Sequence, residues 1–152
     1  PKSATLAGEK AQGVVTSVKD PAETMENVVE PLRVAATAAG NPDPTVLATR
    51  WSIFASNEEE AWEALYPWRG LRAPGRLEAV DPQTLRERAD EMPREEVLGR
   101  YSLVDNVDHI VDIYRPLVDQ LGADIVTFQM ASLDQPALIE LLGTEVVPRL
   151  KG

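Results

Sequence analysis

"GVVTSVKDPAE" (Gly13–Glu23) holds the junction that decides the fold. Val14, Val15 and Val18 make a short apolar run of the kind that forms a buried strand. Asp20-Pro21-Ala22-Glu23 then brings three helix-start signals together: Asp at the N-cap, Pro at the first helical position and Glu at N3. A strand that passes so quickly into a helix is half of a parallel βαβ unit, since parallel neighbours need a covering crossover. Between strand and helix stand Thr16, Ser17 and Lys19, two hydroxyls and one ammonium.

The same alternation runs outward from this junction. Residues 2–11 read as the tail of an Ala-rich helix. After Pro21, the residues Met25, Val28, Val29, Leu32, Ala35 and Ala36 lie on one helical stripe. Pro31 is expected to kink that helix, and "GNPDP" (Gly40–Pro44) to end it. "TVLATRWSIFAS" (Thr45–Ser56), β-branched and aromatic, predicts a second strand, followed by a helix over about 57–65. "YPWRGLRAPGRLEAV" breaks the pattern with prolines and glycines and reads as an irregular excursion. Asp81-Pro82 opens a further helix that ends near Met92, and a shorter helical segment reaches Gly99. "YSLVD" is a short strand or an extended link. Val107, Ile110, Val111, Tyr114, Leu117, Val118 and Leu121 form a continuous stripe closed by Gly122. "ADIVTFQMA" predicts the next strand, and Asp134–Val147 a last amphipathic helix stopped by Pro148. The expected class is α/β, with three to four parallel strands and covering helices. Periodicity alone leaves a small open sheet and part of a barrel as alternatives.

Bulk properties narrow the chemistry. The chain has 152 residues, 43% of them hydrophobic, and a formal net charge of −10, enough for one domain with a proper core. The acidic balance argues against nucleic acid, whose phosphates demand a basic face. There is no cysteine, which removes thiol nucleophiles and cysteine metal sites and suits a reducing cytoplasm. No apolar run approaches the roughly 18 residues of a membrane span, and no signal peptide is visible. His109, the single histidine, falls off the apolar stripe of its helix and is expected to face solvent. No metal-ligand spacing, Gly-rich phosphate loop or Ser/His/Asp set can be assembled. Trp51 and Trp62 read as packing residues, while Trp68 in the excursion could line a pocket.

The scarce cations are more informative. Arg69, Arg72 and Arg76 fall in "PWRGLRAPGR" with no acid among them. One reading pairs them with acids of nearby helices. The other joins that loop with Lys19 in an anion site, since ligands of parallel α/β proteins gather where strands end and helices begin, and a helix start adds positive potential.

Longer stretches carry a resemblance. "PKSATLAGEKAQGVVTS" resembles the "GPKAARLAGRxADG" stretch of the luciferase-like monooxygenase superfamily, in the branch that uses the deazaflavin coenzyme F420. "GADIVTFQMASLDQPALIELLGTEVVPRLKG" resembles that branch's ending. "VDPQTLRERADEMPREEVLGRYSLVDNVDHIVDIYRPLVDQLGAD" is similar in layout to its F420-dependent glucose-6-phosphate dehydrogenases. Gln12 in place of Asp, and Glu9-Lys10 in place of Arg, depart from the pattern.

The resemblance implies a fold and a site. Family members are single (β/α)8 TIM barrels, and this chain corresponds to the carboxyl-terminal half, a single-domain fragment over 1–152 that begins just inside the helix after the fifth strand. A start at "PKSATLAGEK", without Met and already in helical register, agrees with a fragment. Gly13–Val18 then corresponds to the sixth barrel strand. The resemblance assigns substrate-phosphate binding to Thr16, Lys19, Arg76 and Arg100, and contact with the deazaflavin phosphate to Pro1 and Lys2, the remainder of an "SGPK" turn. It implies coenzyme F420 rather than FMN, no metal, and catalytic residues in the amino-terminal half, so that the isolated chain is inactive. The implied partners are that amino-terminal half, a sugar phosphate and a second copy of the completed enzyme, in the cytoplasm. Two alternatives stay open: a related oxidoreductase acting on an unphosphorylated substrate, and a non-catalytic half-barrel that serves assembly.

Overall fold

The structure, a computed structural model, describes residues 2–151, the side chain of Arg72 excepted. In chain order the elements are α1 (Lys2–Lys10), β1 (Gly13–Ser17), α2 (Pro21–Thr24), a π-turn (Met25–Val29), α3 (Glu30–Ala38), β2 (Thr45–Phe54), α4 (Glu58–Leu65), a 3-10 turn (Tyr66–Arg72), α5 (Pro82–Asp90), α6 (Arg94–Leu98), β3 (Ser102–Val104), α7 (Val107–Asp119), β4 (Ile125–Ala131), α8 (Gln135–Leu141), a second π-turn (Leu142–Val146) and α9 (Val147–Lys151). The expected alternation is present, and "SLV" is a true strand. The chain divides into two compact units. One takes in the residues through Trp51, Val107–Gln129 and the stretch from Glu145 onward; the other is Ser52–Asn106 with Met130–Thr144.

In the first unit β1 and β2 pair in parallel, from Gly13 opposite Thr45 to Ser17 opposite Thr49. Gly13 permits that register: a Cβ there would lie 2.0 Å from the Thr45 carbonyl oxygen. On the other side of β2, the Asp124 N–H donates to the Val46 carbonyl at 3.0 Å and the Val46 N–H to the Asp124 carboxylate at 2.8 Å. Thr49 Oγ1 donates to the Thr127 carbonyl at 3.3 Å. Both strands therefore advance in the same direction, and β4 is parallel to β2. Tyr114 of α7, fully buried, donates its hydroxyl to the Arg50 carbonyl at 2.9 Å and packs its ring on Phe128, centroids 4.5 Å apart. Val29, Leu32, Ala36, Ile110 and Leu117 complete a dry core around Val46 and Ala48.

The buried strand expected at Val14–Val18 is buried on one face only. Residues alternate across a sheet, so Val14, Thr16 and Val18 share the face continued by Val46 and Ala48, whereas Val15 lies on the opposite face and is 72% exposed.

Proline acts differently from the sequence expectation. Pro148 does not stop the last helix, which runs on to Lys151. Pro31 and Pro148 each stand two residues beyond a π-turn. A proline within a helix has no N–H to donate and presses its ring on the carbonyl four residues back. One wider turn relieves that conflict: the Glu30 N–H bonds to the Met25 carbonyl, five residues earlier. The distortion expected at Pro31 therefore takes the form of a local π-turn.

In the second unit Ser52–Phe54 of β2 pair in parallel with Ser102–Val104 of β3. Ile53, Ala61, Leu65, Ala89, Val97 and Val104 are buried there. No helix among the described residues is long and apolar enough to cross a membrane.

Gly13→Ala should force Thr45 away from β1. Overpacking of this kind costs about 1–3 kcal/mol, to be read as a lower urea midpoint with an unchanged slope; a stability equal to that of the parent chain would show that the β1–β2 register does not depend on this close approach.

Candidate functional site

The carboxyl end of β1 is built by its helix cap. Asp20 is extended and accepts the Glu23 N–H at 3.0 Å, while its carbonyl accepts the Thr24 hydroxyl at 2.7 Å. Asp20 is thus committed to the helix start, and its neighbour Lys19 is exposed. Among the described residues the Lys19 ammonium has no ion-pair partner. Thr16 is half-buried, one residue before the end of the strand. The structure brings Thr16 and Lys19 to one strand end, as the sequence implied.

The junction after β2 uses the same capping chemistry. Asn57 accepts the Glu60 N–H at 3.0 Å, and Glu60 accepts the Ser56 N–H at 2.8 Å. The Ser56 N–H and hydroxyl hold the Glu60 carboxyl below the usual carboxylate range. After β4, Asp134 accepts the Ala137 N–H at 3.0 Å.

The excursion after α4 is more ordered than its sequence suggests. Arg69 and Arg76 do not act together. Arg69 is 7% exposed, with Nε 2.5 Å and Nη2 2.8 Å from the two carboxylate oxygens of Asp90. Its Nη1 donates to the Tyr66 carbonyl at 2.8 Å, and the guanidinium lies 3.8 Å over the Tyr66 ring. Every face of this cation is used, so Arg69 does not belong to an anion site; it pairs with a helix acid. The hydrogen bonds with Arg69 hold the Asp90 carboxyl below its ordinary value and raise Arg69 in turn. The side chain of Arg72 lies outside the described residues. Arg76 is exposed, and among the described residues it has no ion-pair partner. Trp68 is exposed on the 3-10 turn.

Arg76 follows a turn fixed from α5. Gly75 adopts φ +64°, a left-handed conformation that glycine takes without penalty. Its carbonyl accepts the N–H groups of Glu78 and Ala79 at 3.0 and 3.1 Å. Arg88 Nη1 donates to the carbonyls of both Pro74 and Gly75 at 3.2 Å. The role of Arg88 is absent from the sequence reading. The signals that could have revealed it are a basic residue in the last turn of a helix and a glycine in "APGR".

Arg100 lies just before buried Tyr101 and β3, and is half-buried. Its Nη2 contacts Glu96 Oε1 at 2.7 Å, one helical turn away. This cation is therefore already paired. Arg76 and Arg100 belong to the second unit, Thr16 and Lys19 to the first. Lys2, the first residue of α1, is exposed, and no acidic residue occupies the first turn of that helix, a setting that suits a phosphate. Pro1 lies outside the described residues. His109 is exposed on α7, as its position off the stripe predicts. A cavity of about 320 Å³ in the first unit is lined mainly by apolar groups, among them Val118, Val126, Phe128 and Leu150, and is unsuited to an anion. Among the described residues no cluster of three or more His, Asp or Glu could hold a metal ion.

Comparison with known proteins adds the wider context. The family model described as luciferase-like monooxygenase matches residues 1–112. An F420-dependent glucose-6-phosphate dehydrogenase of Nakamurella multipartita is 29% identical over all of this chain and 46% of its own length. The enzyme of the same description from Mycolicibacterium gilvum is 30% identical over 99% of this chain and again 46% of its own length. Among solved structures, an F420-dependent secondary alcohol dehydrogenase bound to an F420-acetone adduct superposes with a TM-score of 0.78 at 22% identity, over 100% of this chain and 47% of that one. The chain spans about half the length of the curated relatives it matches, and its fold is the carboxyl-terminal half of a (β/α)8 barrel.

Asp90→Asn leaves the buried Arg69 guanidinium without its ionised partner. The loss at pH 7 should be about 1–2 kcal/mol, at the low end for charged hydrogen bonds because Asp90 is half-exposed. The folded pKa of Asp90 lies below its unfolded value of about 3.9, so its stabilisation is complete above that value and vanishes as pH falls through the folded one. Thermal melting of both proteins from pH 7 to pH 2 should show the difference closing only below about pH 4; a constant difference would remove the ion pair as its cause.

Proposed function

Because the chain belongs to the luciferase-like monooxygenase family, we propose that it is the substrate-phosphate-binding half of an F420-dependent oxidoreductase acting on a sugar phosphate of the glucose 6-phosphate kind. The observation that carries this reading is the alignment of 99–100% of this chain with 46% of each of two curated F420-dependent glucose-6-phosphate dehydrogenases, taken together with the exposed Lys19 at a parallel strand end. All 152 residues act as one piece of a barrel that an amino-terminal half completes. Val15 at 72% and Ile125 at 47% exposure, apolar residues within strands, support a partner that covers the open sheet face. The catalytic residues come from that other half, and the isolated chain is inactive. The completed enzyme is a cytoplasmic homodimer.

In this reading the residues of the chain bind and orient. Lys19 and Arg76 meet the phosphate dianion with their charges, and Thr16 donates its hydroxyl. Arg100 joins them by exchanging Glu96 for the phosphate, which is the more highly charged acceptor. Lys2, with the first N–H groups of α1, holds a phosphate of the cofactor. Coenzyme F420, when bound, supplies the deazaflavin ring that takes the hydride from the anomeric carbon. The task of this half is to fix the sugar so that this carbon faces the ring.

One observation favours a second reading. The Arg100–Glu96 pair leaves fewer free cations than a phosphate site would use, which agrees with an unphosphorylated alcohol as substrate. Competition separates the two: inorganic phosphate raises the apparent KM for substrate only if a phosphate subsite exists. A non-catalytic role in assembly requires instead that the chain combined with its amino-terminal half fail to bind the deazaflavin in a fluorescence titration.

In the completed enzyme, Arg76→Ala should raise KM for glucose 6-phosphate by about tenfold or more, the equivalent of one charge-assisted hydrogen bond. The measurement is steady-state reduction of the deazaflavin. An unchanged KM would take Arg76 out of the site.

A further inference from the structure

We propose that Arg88 is a positioning residue for Arg76: from the last turn of α5 it locks the Pro74–Ala79 turn in the one conformation that presents the Arg76 guanidinium to an anion. The inference rests on the phosphate-binding reading of Arg76 and adds to it a residue that the family resemblance does not assign.

The geometry is local to the second unit. The Gly75 carbonyl accepts three donors: the Glu78 N–H at 3.0 Å, the Ala79 N–H at 3.1 Å and Arg88 Nη1 at 3.2 Å. The same Nη1 reaches the Pro74 carbonyl at 3.2 Å. Arg88 is the only one of these donors that comes from outside the turn. The fit is close, since a Cβ on Gly75 would lie 2.5 Å from Nη1. Half-buried Arg88 thus spends its charge on carbonyl oxygens, while exposed Arg76, next to Gly75, keeps its own. Both groups are cations, so Arg88 cannot pair with Arg76 and acts on it through the backbone alone. The other end of the excursion is held from the same helical turn, by Asp90 on Arg69. With both ends fixed on α5, the loop entropy that Arg76 would lose on meeting a ligand is already lost in the free protein.

The test compares Arg76→Ala, Arg88→Ala and Arg88→Lys in the completed enzyme, with glucose 6-phosphate as substrate and amide hydrogen exchange at Glu78 and Ala79 as a second readout. Arg88→Ala is expected to raise KM about fivefold, the factor for one ordinary hydrogen bond, with the loss in KM rather than kcat. Exchange at Glu78 and Ala79 should accelerate together with it. Arg88→Lys, which can still reach one carbonyl, should restore part of both. If Arg76→Ala raises KM and Arg88→Ala does not, the positioning role is overturned and the phosphate-binding reading stands. If Arg88→Ala accelerates exchange but Arg76→Ala leaves KM unchanged, Arg88 shapes the turn and it is the phosphate-binding reading of Arg76 that fails. A fall in kcat with KM unchanged would overturn the proposal as well.

Discussion

The close approach of two backbones at Gly13 and Thr45 sets the register on which the first unit depends. A side chain at position 13 would collide with the Thr45 carbonyl. With hydrogen there, Val14 comes level with Val46 and Thr16 with Ala48, and Val14, Val46 and Ala48 make an apolar strip. The helical stripe around Leu32 and Ala36 needs such a strip to bury itself. A slip of one residue would turn Val15 and Ser17 toward the core and Val14 outward. The same register decides that β1 ends at Ser17, and so where Thr16 and Lys19 stand. Placement of Thr16 and Lys19 thus follows from strand pairing before any side chain of the site is considered.

Local signals were legible wherever their cause was local. Asp20-Pro21-Ala22-Glu23, Asn57 and Asp134 were readable as helix starts because a cap is satisfied within three residues. The stripe from Val107 to Leu121 was readable because one face of a helix is a matter of spacing. The departures have distant or competing causes. Pro148 was expected to end a helix, but the packing of Val146 and Leu150, both buried, outweighs the cost of one proline, and a π-turn absorbs the misfit. Val15 was expected inside because an apolar run does not say how many faces of its sheet are covered. Arg69 follows the alternative that pairs the loop arginines with acids of nearby helices, and nearness in sequence does not separate it from Arg72 and Arg76. Its partner Asp90 lies 21 residues away, and no pattern within the loop announces it.

The candidate site itself was legible only as a set of residue types, and charge accounting explains what the structure adds. In a chain of net charge −10 most cations should be neutralised by neighbouring acids, and many are. Arg69 has Asp90, Arg94 has Glu59 and Arg100 has Glu96. Those pairs are closed to a ligand unless it offers a better acceptor. A cation is easier to reach where an acid close to it in sequence is engaged elsewhere, and backbone N–H groups engage one such acid near Lys19 and one near Arg76. Asp20 adjoins Lys19 in sequence, yet its carboxylate turns to the Glu23 N–H. Asp81, five residues beyond Arg76, accepts the N–H groups of Gln83 and Thr84 at 3.2 Å each, and those bonds hold its carboxyl below the ordinary range. The helix caps therefore have two effects. They start the helices, and they hold carboxylates that would otherwise compete for the exposed ammonium and guanidinium. An anionic ligand at Lys19 meets a cation whose nearest acid in sequence, Asp20, is already bound to the backbone.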